Sequence, residues 1–224
     1  VYSLAVSLAG GAKLLHTVFA NFWQPAVYRW HNQFGNTDSC LEKCSSVFES
    51  LVIVLLAGWF FAGMLLPLVF IFLPPEYRMA QFVVMPLLAS AFVYILADCA
   101  AVGLHIMNRP RYLLYSSIGF CGVIATLLWA CVEPFGIVGA AIAVQLAFVL
   151  LLVSRMELSS AVWLALPRLW VYISSAIYVG IALLGGYIPE AVIYIYWFGG
   201  ITVGVFLLIR PCAIRRLIVF AKEA

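Results

Sequence analysis

Seven long apolar stretches separated by short polar breaks run through the chain, at roughly 1 to 29, 50 to 73, 82 to 107, 113 to 132, 136 to 154, 169 to 187 and 190 to 209. Each is close to the ~20 apolar residues that carry a helix across a bilayer. The pattern predicts an all-α fold, a polytopic transmembrane helix bundle of about seven spans forming a single transmembrane domain over residues 1–224. An odd number of crossings puts the two ends on opposite sides of the membrane.

The breaks are mostly tight turns. PPEYR at 74 to 78, NRPRY at 108 to 112, EPFG at 133 to 136 and YIPE at 187 to 190 all carry Pro or Gly where one helix must stop and the next begin. Only HNQFGNTDSCLEKCSS, His31 to Ser46, is a long polar stretch, and it is expected to be a loop joining the first two spans. MELSSAVWLALPR, 156 to 168, is too mixed and too short to cross; with Trp163, Arg168 and Trp170 it reads as an in-plane or tilted lead-in, so that the sixth span starts near Leu169. Pro25 and Pro67 are expected to kink the first and second spans, and Gly10 and Gly11 to allow close helix contact.

Charge then orients the bundle. Of 12 Lys and Arg residues, Arg29, Lys43, Arg109, Arg111, Arg155, Arg168, Arg210, Arg215, Arg216 and Lys222 fall on one side of the alternation, Arg78 falls on the other, and Lys13 lies within a span. Because short cytoplasmic loops accumulate Lys and Arg, the richer side is inside and the C-terminus is cytoplasmic. The net charge of +3 is thus a topology signal, and nucleic-acid binding is not inferred from it. A composition of 66% hydrophobic and 9% charged residues, with mean hydropathy +1.12, excludes an ordinary soluble domain, in which about a quarter of residues are charged. Val1 already lies in an apolar stretch with no charged segment or cleavage site before it, the pattern expected of a fragment.

Chemistry is sparse. Cys40, Cys44 and Cys212 lie in segments read as cytoplasmic, where thiols stay reduced, and Cys99, Cys121 and Cys131 lie in spans, so no disulfide framework is expected. Cys40 and Cys44 with His31 lack the second ligand pair of a tetrahedral site, so no metal and no cofactor is expected. No phosphate-binding glycine loop, HExxH or GxSxG motif occurs, and the chain is not read as an enzyme.

Two ionisable groups sit inside spans, Lys13 and Asp98, and each costs on the order of 2.5 to 3.5 kcal/mol on insertion scales unless partnered or wet. Lys13, His16 and Gln24 share one helical face; Ser90, Tyr94, Asp98 and His105 share another. Lys13 is sixteen residues before Arg29 and Asp98 eleven before Arg109, a depth difference of about 7 to 8 Å that a lysine nearly closes. Either the two form a structural pair, or Lys13 with His16 and Gln24 binds an anionic substrate group while Asp98 with Tyr94 takes up a coupling proton or sodium ion. Taken alone, His16 and His105 read more readily as helix contacts than as switches. Gln145 reads as interhelical glue.

Several segments in this order resemble a known family. VYSLAVSLAG followed by FWQPAVYR, then PPEYRMAQFVVMPLLA, MNRPRYLLYSSIG and EPFGIVGAAIAV are similar to segments of the C-terminal half of polysaccharide flippases in the multidrug/oligosaccharidyl-lipid/polysaccharide exporter superfamily. The last is the most specific, with Pro134, Gly136, Gly139, Ala140 and Ala141 in place; Glu133 and the lack of an asparagine between Gly122 and Ala130 depart from the pattern. The resemblance implies two helix bundles around a central cavity, about twelve to fourteen spans in all, and alternating access. It further implies a monomer in the bacterial inner membrane that carries lipid-linked oligosaccharide, with Lys13 facing a lipid pyrophosphate. A cation-coupled multidrug exporter of the same superfamily and a non-transporting membrane scaffold are the alternatives. A seven-span receptor or opsin fails on motif, having here no lysine in the last span, no acidic-Arg-aromatic triplet after the third and no NPxxY.

The topology is testable by thiol labelling after Cys40, Cys44 and Cys212 are removed. A cysteine at Asn108 should react with an impermeant reagent only once the inner face is opened, and one at Phe135 should react from outside. Labelling of position 108 on intact cells contradicts the orientation.

Overall fold

The computed structural model describes residues 2–35, 37–74, 77, 80–163, 165–187, 189–209, 217 and 220; the side chains of 13, 186–192 and 205–209 lie outside that description. The described chain is helical, with α1 Tyr2–Gly10, α2 Ala12–Phe34, α3 Asp38–Ile71, α4 Gln81–Ile106, α5 Pro110–Val162, α6 Arg168–Tyr187 and α7 Pro189–Ile209, and no strand among the described residues. Counting α1 and α2 as one stretch, five helices are long and apolar enough to cross a membrane, and α7 adds the shorter apolar helix Ile193–Gly204. Large apolar side chains such as Leu14, Ile71, Phe72, Trp129, Tyr194 and Phe198 are exposed on the outside, a surface suited to lipid and not to water.

The helices form one bundle around α4. Of the residues in its apolar stretch, 72% are buried inside the protein, against 18 to 44% in the other four spans. Helix α4 packs against α1, α2, α3, α5 and α6. Its small residues Ala89, Ala97, Ala100, Ala101 and Gly103 share one side of the helix and are buried, which lets neighbours approach closely there. Two indoles fasten onto it: Trp23 of α2 donates to the Cys99 carbonyl at 3.2 Å and Trp59 of α3 donates to the Met85 carbonyl at 3.1 Å. Trp59 also packs edge-on against Tyr178 of α6 and Tyr196 of α7, at 4.8 and 5.1 Å between ring centroids. Tyr196 rests on Gly63, and Gly199 takes the Phe60 ring, so α3 and α7 meet at small residues.

Helix α5 spans 53 residues, and straight it would measure about 80 Å. It is not straight. Gly136 has φ 56° and ψ −133°, a left-handed conformation that favours glycine. Phe120 and Phe148, 28 positions apart, bring their ring centroids within 4.9 Å, whereas a continuous helix would separate them by about 42 Å. The segments 110–135 and 137–162 therefore run antiparallel. Gly139 passes so close to the Cys131 carbonyl that a Cβ there would collide with its oxygen. These two glycines account physically for the EPFGIVG turn.

The 104–110 turn also follows the sequence reading. Asn108 takes φ 53°, the Arg109 N–H returns to the Leu104 carbonyl at 2.9 Å, and Pro110 opens α5, a left-handed helix end followed by proline at the first helical position.

Two expectations are corrected. The polar segment His31 to Ser46 is not a loop: α2 continues to Phe34 and α3 starts at Asp38, leaving a short turn with Gly35 at φ 64°. Cys40, Cys44, Val47, Phe48 and Leu51 recur at helical spacing and are all buried, so helical periodicity overrides the polar composition. Residues 156–162 are not a lead-in to the sixth span; they complete α5, with Met156 and Ser159 buried. Pro25 and Pro67 lie inside α2 and α3 without ending them. Arg78, the cation read as lying on the other side, and the tail cations Arg210, Arg215, Arg216 and Lys222 lie outside the described residues.

Gly139→Ala should destabilise the fold by about 1 to 3 kcal/mol, because the new methyl meets backbone that cannot swing away. Gly122→Ala, where nothing lies within 4 Å, should be neutral or slightly stabilising. Thermal unfolding in detergent compares the two; equal melting temperatures would remove the steric account of the hairpin.

Candidate functional site

The polar groups inside the bundle meet at α4. Asp98 lies eleven residues before Arg109, about 16 Å from the turn that follows α4. Its Oδ2 sits 3.2 Å from Nε2 of His16 on α2, and its Oδ1 sits 3.6 Å from Nη1 of Arg155 in the second segment of α5. The first distance is that of a hydrogen bond; the second is an ion pair somewhat too long to be one. One carboxylate thus joins three helices, each oxygen facing a different base.

Above this trio is a cavity of about 430 Å³ lined by Val6, Ala9, Ala12, Leu87, Ala91 and Phe148 together with Gly10, His16, Thr17, Ser90 and Tyr94. Its walls are mostly apolar, with His16, Thr17, Ser90 and Tyr94 as the polar side chains on them. Tyr94 leans on the His16 imidazole with centroids 5.0 Å apart and on Phe148 at 5.6 Å. The Ser90 hydroxyl donates to the Leu87 carbonyl at 2.7 Å. The His16 and Asp98 side chains are 25% and 26% exposed, while Arg155 is only 11% exposed. Of the three, only His16 lines the cavity, so solutes there meet the imidazole directly.

The sequence-derived candidates separate clearly. His16, Tyr94 and Asp98 come together, and Ser90 lines the same cavity. The Lys13 side chain lies outside the described residues, so its pairing with Asp98 is not part of the observed arrangement. Gln24 is exposed and does not line the cavity. His105 is exposed near the end of α4 and does not join Ser90 and Tyr94 in lining the cavity. Gln145 is 1% exposed, and its amide nitrogen and oxygen have no hydrogen-bond partner among the described residues, so no interhelical bond from it is seen.

Arg155 is the residue that sequence reasoning misplaced. It was counted among cytoplasmic loop cations, yet it is buried and points at Asp98. Its helical spacing held the signal: Phe148, Leu151 and Arg155 recur at i, i+3 and i+7 on one face. His16 was equally accessible to depth counting. It stands thirteen residues before Arg29 against eleven from Asp98 to Arg109, a mismatch of about 3 Å, smaller than that of Lys13.

A second polar group closes the α5 to α6 connection. Arg168 lies 3.2 Å from Glu157 and donates to the Ser160 hydroxyl at 2.6 Å, and the Tyr172 hydroxyl donates to Glu157 at 2.7 Å. It is exposed and separate from the cavity, and its role is structural. No group of three or more His, Cys, Asp or Glu positioned to hold a metal occurs among the described residues.

Removing Asp98 or Arg155 alone should lower folded yield, because the partner left behind is a charge with fewer neighbours inside the bundle. Asp98→Asn combined with Arg155→Met should recover part of the loss, with a coupling of about 0.5 to 3 kcal/mol in a double-mutant cycle on thermal unfolding. Strictly additive effects would show that the two do not interact.

No protein-family model, curated protein or solved structure matches this chain.

Proposed function

We propose that the chain is a membrane transport protein that moves lipid-linked oligosaccharide across the bacterial inner membrane by alternating access, with a proton as the coupling ion. The observation that carries this reading is the ion-paired trio His16, Asp98 and Arg155 inside the bundle, whose His16 lines a mostly apolar cavity. Ionisable side chains in a bilayer are expensive and mark substrate or ion pathways. A mostly apolar cavity with an ionisable side chain on its wall suits an amphiphile better than a free sugar or an inorganic ion. The EPFGIVGAA turn and the order of the segments resembling the flippases favour a lipid-linked substrate within this class.

The proposed topology has seven crossings and a cytoplasmic C-terminus. The fold-back of α5 at Gly136 supports counting it as two spans. Phe220 packs against Trp23 and Trp30 of α2, at 6.1 and 5.8 Å between centroids, which supports an even number of crossings between the end of α2 and the tail. Six satisfies that parity and five does not.

A cation-coupled drug exporter is the second reading. The aromatic wall of Tyr94 and Phe148 favours it, since cations bind aromatic faces. Against it, Asp98, the acid behind the cavity's His16, is already matched by His16 and Arg155.

Cells lacking the protein and any redundant flippase should accumulate a lipid-linked sugar intermediate on the cytoplasmic leaflet and lose the corresponding surface glycan. Extraction and chromatography of labelled lipid-linked sugars measures the first. Unchanged surface glycan with raised sensitivity to cationic compounds would favour the exporter.

A further inference from the structure

We infer that His16, and not Asp98, is the proton-carrying group of the cavity, and that its protonation turns the His16 wall into a binding site for the anionic head of an amphiphile. The inference rests on the cavity being the substrate site. A carboxylate accepts hydrogen bonds and donates none, so the His16 nitrogen facing Asp98 Oδ2 at 3.2 Å carries the hydrogen. In the neutral imidazole this leaves the Nδ1 lone pair to take a proton, forming one N–H bond at the expense of a hydronium ion. Asp98 Oδ1 faces Arg155, whose guanidinium does not release its proton in the physiological range.

The charge count gives the consequence. With His16 neutral, Asp98 and Arg155 cancel; with His16 protonated, the trio carries one net positive charge. An anionic head is held more tightly in the second state than in the first. Binding and protonation are then linked: the anion favours imidazolium, so affinity falls as pH rises.

The surroundings of His16 contain few other titratable groups. Helix α4 presents Asp98 and Tyr94, and α5 presents Arg155. Helix α1 holds only Tyr2, at its far end. Helix α3 meets α2 through Lys43, which lies over Trp30 and Phe34, fourteen or more residues along α2 from His16. On α2 itself Lys13 precedes His16 by three residues. A constant charge from it would raise both states by one and leave the step between them unchanged. The apolar walls supply the remaining recognition, taking the hydrocarbon body of the ligand beside Phe148, Leu87 and Val6.

The probe is octyl sulfonate, whose single charge is constant across this pH range, titrated by calorimetry into the protein in nanodiscs of zwitterionic lipid, with empty nanodiscs subtracted. Binding should be about tenfold or more tighter at pH 5.5 than at pH 8.0. Asp98→Asn should tighten binding at pH 8.0 by about tenfold, because Arg155 is then uncancelled. His16→Gln should bind at the weak level at both pH values. If that variant does not fold, the wild-type pH series and Asp98→Asn decide the matter. Binding that is equal at the two pH values, or unimproved by Asp98→Asn, overturns the role of His16 while leaving the cavity as a ligand site. No binding at any pH, or preference for octyltrimethylammonium at both, overturns the substrate reading and this inference with it.

Discussion

A carboxylate within a bilayer must be matched in charge and hydrogen-bonded, and the bundle is organised around meeting that requirement for Asp98. Its two oxygens face two bases on two other helices, His16 of α2 at 3.2 Å and Arg155 of α5 at 3.6 Å. Apolar contacts between helices have little driving force of their own in lipid, because lipid tails are as apolar as leucine. Polar contacts and close packing decide which helices touch and in what register. Asp98 fixes α2 and the second segment of α5 against α4 at one depth, and the cavity is the space those helices leave on the Tyr94 side.

The centrality of α4 has the same origin. Trp23 of α2 and Trp59 of α3 donate to its carbonyls, and its small residues are buried where other helices pack. Trp59 then extends the contact outward to Tyr178 and Tyr196, so α6 and α7 are tied to the centre through one indole. The Gly136 hairpin is what allows two segments of α5 to reach this assembly, bringing Phe148 to the cavity wall and Arg155 to Asp98. Turn chemistry at one glycine thereby positions a charge some nineteen residues later.

Much of this was legible in the sequence wherever the signal was local. Helical class followed from apolar stretches, and the turns at NRPRY and EPFG followed from proline and glycine, whose conformations Asn108 and Gly136 then show. Asp98 stood out because a charge in an apolar run has few explanations. What depended on partners across the bundle was read less well. Lys13 drew attention by its charge, although His16 stood at a depth closer to that of Asp98. Arg155 was hidden by its place after LLLVS, where a cation reads as the inner boundary of a span. The polar segment 31–46 was misread because composition was weighed above the spacing of Cys40, Cys44, Val47 and Phe48.

The central claim, that α2 and α4 meet through His16 and Asp98, has a direct physical measurement. The chain contains two aspartates, Asp38 and Asp98, so Asp38→Asn leaves one carboxylate of that type. Rotational-echo solid-state NMR on this variant in membranes, with ¹⁵N-histidine and carboxyl-¹³C-aspartate, reads the distance between imidazole nitrogen and side-chain carboxyl carbon. The 3.2 Å contact predicts strong dephasing at about 4 Å or less that disappears in His16→Gln. Absence of dephasing, or dephasing that survives the His16 substitution, would contradict it.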